Sequence, residues 1–89
     1  MRKIYIPVRT ETDENGIITP LEVQAYENEW FEIKNPVNQG MKYYSADVGG
    51  KAVRYYCIVD FVEPREVHLY NEDKKWFVLM ENYINWFAH

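Results

Sequence analysis

Short runs of alternating apolar and polar side chains, each closed by turn-forming residues, are the feature that most restricts this fold. From Lys3 to Arg9, Ile4, Ile6 and Val8 face one way, while Lys3, Tyr5, Pro7 and Arg9 face the other. That is the period of a half-buried strand. The same period recurs at Ile18–Tyr26 (Leu21, Val23, Ala25), Trp30–Asn35 (Phe31, Ile33) and Val53–Asp60 (Val53, Tyr55, Cys57, Val59). Glu66–Tyr70 is a fifth short strand. Lys75–Glu81 is a sixth, apolar on both faces and therefore placed centrally in the sheet. The choice of apolar residues agrees: Val and Ile total 16, against three Leu and four Ala. β-branched and aromatic side chains suit a pleated surface, whereas a helical bundle is built from Leu and Ala.

The punctuation between runs is equally directed. Asp13-Glu14-Asn15-Gly16 ends in an Asn-Gly pair that tolerates the positive φ of a hairpin turn. Glu27-Asn28-Glu29 and Asn71-Glu72-Asp73-Lys74 are the other polar turns. Pro7 and Pro20 donate no backbone hydrogen bond, so each marks an edge or a bulge. Residues 35–51, with Pro36, Gly40, Gly49 and Gly50, read as one long loop, a length usually kept for function. The period then changes. Met80, Tyr83, Ile84 and Phe87 fall on one face of a short helix that Asn82 is placed to cap. Too short to stand alone, it is expected to bury Tyr83, Ile84, Trp86 and Phe87 against the sheet or a second copy of the chain.

The fold expected is a single small domain over 1–89, mainly β: a six-stranded antiparallel barrel or roll with a short C-terminal helix. Its core is expected to hold Ile4, Ile6, Val8, Leu21, Val23, Phe31, Ile33, Val53, Tyr55, Cys57, Val59, Val67, Leu69 and Val78.

Several classes of function drop out. No apolar run approaches the length of a membrane helix, so no membrane partner is expected. The basic start lacks the apolar stretch of a signal peptide, which makes a cytoplasmic location the expectation. Cys57 is the only cysteine, so no intramolecular disulfide forms. Its Val, Ile and Tyr neighbours point to a buried, inert thiol, not to a nucleophile paired with His68. Asp60, Glu63, Glu66 and His68 lie close in sequence without the spacing of a metal site. Gly49-Gly50-Lys51 lacks the pattern of a phosphate-binding loop. We therefore expect no cofactor, no metal and no catalytic group.

What remains is binding. Between Thr10 and Ile33 there are seven acidic residues and no Lys or Arg, while the rest of the chain carries all ten basic residues. That segment is either a solubilising edge or a docking face. Trp30, Tyr43, Tyr44, Tyr56, Trp86 and Phe87 exceed what a small core needs, and such residues anchor interfaces. With Arg54 and the 35–51 loop, they suggest a non-enzymatic intracellular interaction or accessory module that binds a protein partner or itself. The alternative is a small β-barrel that stacks single-stranded nucleic acid on Lys42-Tyr43-Tyr44 and Arg54-Tyr55-Tyr56. A net charge of −4 disfavours it.

Overall fold

The chain doubles back five times on itself in a computed structural model that describes residues 2–43 and 50–88. Seven strands result: β1 (Lys3–Tyr5), β2 (Val8–Thr12), β3 (Ile18–Ala25), β4 (Glu29–Tyr43), β5 (Lys51–Asp60), β6 (Pro64–Glu72) and β7 (Lys75–Leu79). A short helix, α1 (Met80–Tyr83), follows directly. The strands form one curled antiparallel sheet in the order β1-β7-β6-β5-β4-β3-β2. The fold class read from the sequence is therefore correct, and the seventh strand has a simple origin. The expected first strand is bent at Ile6-Pro7, so its two halves pair at opposite ends of the sheet. Ile6 N–H donates to Trp76 O at 3.2 Å, and Pro7 O accepts from Gln24 N–H at 3.0 Å. Pro7 thus sits where the segment changes partners, at the sheet's seam.

Turn chemistry sets the hairpins. At β2–β3, Gly16 has φ of 80°, and Asp13 Oδ1 accepts from the backbone N–H groups of Asn15 and Ile17. Glu27 and Asn28 both have positive φ at β3–β4, as do Asp73 and Lys74 at β6–β7. These left-handed pairs match the right-handed twist of the strands they join.

The core lies inside the curl. Val23, Cys57, Val59, Val67, Leu69, Val78 and Trp86 are completely buried, and Ile33 and Tyr55 nearly so. Ile4, Ile6, Val8, Phe31 and Val53 pack against them half-buried. A second cluster of Ala52, Tyr70, Phe77 and Leu79 covers the other face of the sheet. That explains why β7 is apolar on both faces. It is flanked by β1 and β6, so it is an inner strand but lies next to the edge and not at the centre expected.

Three further expectations need correction. Leu21 is 41% exposed rather than core. Arg9 pairs with Glu22 but the adjacent Thr10 pairs with Pro20, leaving Leu21 as the extra residue of a bulge. A bulge reverses the facing of what precedes it, so Pro20 is buried in place of Leu21. Next, 35–43 is not loop but the far half of β4. Two irregularities, between Lys34 and Val37 and between Asn38 and Met41, absorb Pro36 and Gly40 while pairing with β5 continues to Tyr43. Finally, Ile84 is 62% exposed, while Trp86 enters the core. Ile84 closes the helix in helical conformation, with its N–H on Met80 O, and the turns beyond it place Trp86 inward.

Asn82 does not cap the helix, whose N-cap is Leu79. β7 leaves β6 beyond Tyr70, and the side-chain amide of Asn82 takes over that stretch of edge. Its Oδ1 accepts from His68 N–H at 3.0 Å and its Nδ2 donates to Glu66 O at 3.0 Å. The same Oδ1 accepts from Trp86 Nε1 at 3.1 Å. One side chain thus ties the C-terminal turn to the sheet.

Candidate functional site

Apolar side chains in turns are unusual, because turns face water. Two such places matter here: Tyr26, just before the Glu27-Asn28 turn, and Phe61-Val62, before Glu63-Pro64. The curl of the sheet brings both turns to the same end of the molecule, where the C-terminal turn adds Phe87. With Glu29 and Phe31 of β4 they line a cleft of about 460 Å³.

The cleft is built mostly of rings. Phe31 meets Phe61 edge-on at 4.9 Å, Phe61 meets Phe87 at 4.8 Å, and Tyr26 meets Phe87 at 5.4 Å. Behind them Phe61 stacks on the buried Trp86, with centroids 4.9 Å apart and planes 14° from parallel. Arg65 holds the C-terminal turn in place. Its Nε donates to Asn85 O at 2.9 Å, another guanidinium nitrogen donates to Ala88 O, and a third contact reaches Glu63 at 2.7 Å. The one carboxylate in the lining, Glu29, is exposed and has no ion-pair partner among the described residues, and the same holds for Glu27 in the turn beside Tyr26.

The residues expected to bind do not assemble into one surface. Phe87 lies in the cleft. Trp86 does not contact solvent; it is core, and its place in a binding surface is corrected accordingly. Trp30 sits on the opposite face of β4 from Phe31, with the Arg9 guanidinium 3.9 Å above its ring. Arg9 also pairs with Glu22 at 3.1 Å. Tyr43 is 76% exposed at the end of β4, near Lys51. Tyr44 lies outside the described residues. Arg54 Nε donates to Gln39 at 2.6 Å. The Tyr56 hydroxyl is engaged by Glu66, which with partial desolvation holds the phenol above its ordinary pKa. Tyr26, Glu29, Phe31, Phe61 and Val62 were missed, because alternation assigns residues to a face and says nothing of which turns meet.

Other groups offer less chemistry. Burial raises the Cys57 thiol to a pKa of about 12, and its Sγ lies 3.5 Å from Val67 O. His68 is lowered below its ordinary value by burial and by the nearby charge of Arg54, with Glu66 opposing. Its Nε2 has no hydrogen-bond partner among the described residues. Among those residues, no three His, Cys, Asp or Glu side chains converge in a way that holds a metal ion. Among the described residues no helix is long and apolar enough to cross a membrane. A larger, open groove of about 650 Å³ follows the seam past Tyr5, Pro7, Lys74 and Lys75. It gathers only two aromatic rings, and one of them, Trp76, is buried. The cleft is the stronger candidate. No protein-family model, curated protein or solved structure matches this chain.

Proposed function

We propose that this chain is a non-enzymatic protein-interaction module whose contact site is the aromatic cleft at the end of the acidic segment, and whose partner presents a basic stretch of chain. One observation carries the reading: four aromatic side chains converge on one opening beside the Glu29 carboxylate, which has no ion-pair partner among the described residues. Aromatic side chains in a concave site supply contact area at low entropy cost and dominate binding energy. The acidic segment supplies the long-range attraction that selects a partner of opposite charge. The expected contact region therefore moves from the 35–51 stretch, most of which is strand, to this end of the sheet. The nucleic-acid reading draws less support, since Arg54 and Tyr56 are engaged by Gln39 and Glu66.

Selection from a random peptide display library tests the proposal, with a Val62→Lys variant as the counter-screen. Val62 lines the cleft yet is 57% exposed, so the variant keeps its fold. Peptides enriched on the unaltered protein and lost on the variant are expected. Equal recovery on both proteins would overturn the site.

A further inference from the structure

We infer that the cleft receives the guanidinium of an arginine on the partner's basic segment, an inference that rests on the cleft being the contact site proposed above. Ring faces carry partial negative charge and attract cations. Here Phe31, Phe61, Phe87 and Tyr26 pack on one another at mutual angles from 48° to 67°, and all four line the cleft. The cation that this chain itself places nearby is already used, because Arg65 is bound to Glu63, Asn85 O and Ala88 O. Glu29, in the lining, carries negative charge that nothing on its own segment balances, since Thr10–Ile33 contains no Lys or Arg.

Arginine fits this combination better than lysine. Its guanidinium is planar, stacks on aromatic faces, is weakly hydrated and offers a carboxylate two parallel donors. An ammonium is a strongly hydrated point charge and loses more on entering an apolar opening. The chain already contains such an arrangement on the opposite face of the sheet, where Arg9 stacks 3.9 Å over Trp30 and reaches Glu22 at 3.1 Å. In the cleft, the rings and the Glu29 carboxylate are present and the guanidinium is what a partner brings. The volume of about 460 Å³ accommodates one long side chain with part of its backbone.

Two blocked pentapeptides that differ only at the centre, one with arginine and one with its neutral isostere citrulline, test this. Each is titrated into ¹⁵N-labelled protein and followed by NMR. The arginine peptide is expected to shift the amides of Phe61, Val62 and Phe87 and the indole of Trp86. The citrulline peptide should bind at least about fivefold more weakly, as loss of a charge-assisted contact implies. Glu29→Gln should narrow that difference. Equal affinity for both peptides would overturn the arginine assignment while leaving a peptide-binding cleft. Shifts elsewhere, or none with either peptide, would overturn both the assignment and the contact site. Concentration-dependent shifts at Phe61 and Phe87 without peptide would show that a second copy fills the cleft, and would also overturn the assignment.

Discussion

Phe61 and Trp86 stack nearly parallel, 14° apart at 4.9 Å, and the two rings do different work. Trp86 is wholly buried in the core, whereas Phe61 is half-buried and lines the cleft. The C-terminal turn is thereby part of both the core and the site, and damage to it should be felt in both.

Trp86→Phe keeps an aromatic ring but removes volume and the bond to Asn82. It is expected to lower stability by about 1–3 kcal/mol, read from denaturant midpoints. Truncation after Glu81 removes Trp86 and Phe87 together and should lower the melting temperature severely. A truncated protein that melts unchanged would show that the turn contributes nothing to the fold.

Asn82→Ala leaves His68 N–H, Glu66 O and Trp86 Nε1 without the amide that serves all three. Partly buried groups left unpaired cost about 1–3 kcal/mol in all, since water reaches the exposed members. Hydrogen exchange at the His68 amide should accelerate in the variant. An unchanged rate would mean that this edge is protected by something else.

The strand faces were legible from alternation, and so was the antiparallel roll they build. Val23, Ile33, Tyr55, Cys57 and Val59 are buried as their spacing requires. What failed to show was any departure from regular period. Leu21 occupies a bulge, which inverts face assignment and is invisible to counting by twos. Pro36 and Gly40 look like loop residues, yet lie at irregularities within a continuing strand. Helical spacing placed Ile84 inward, but the single helical turn leaves it exposed, and Trp86 in the turns that follow takes the buried position. The cleft was hidden for a further reason: Tyr26, Phe61 and Phe87 belong to three turns that only the curl of the sheet brings together.

Cys57 should resist thiol reagents in the native protein and react quickly in denaturant. With its pKa raised to about 12 by burial, almost no thiolate exists near neutrality. Labelling kinetics with and without denaturant check this, and equal rates would contradict the buried position.

His68 makes stability depend on pH. Its native pKa lies below the ordinary 6.5, with burial as the leading cause. Below that ordinary value the unfolded chain binds a proton that the native protein still refuses, so stability falls as pH drops through and below 6.5. Above it both states are neutral and the contribution vanishes. Denaturant midpoints for the protein and for His68→Gln should therefore diverge between about pH 7.5 and 5.5, with the variant losing less. Parallel curves would contradict the assignment.

The central claim is that the cleft, and not the far end of β4, makes contact with a partner. Its most direct measurement is the dissociation constant of the most enriched display peptide for three proteins: the unaltered chain, Val62→Lys and Tyr43→Ala. Both substitutions are at exposed positions, 57% and 76% accessible, so melting temperatures should stay unchanged. The account predicts binding weakened about tenfold or more by Val62→Lys and unaffected by Tyr43→Ala. The reverse pattern, full affinity in Val62→Lys and loss in Tyr43→Ala, would contradict it.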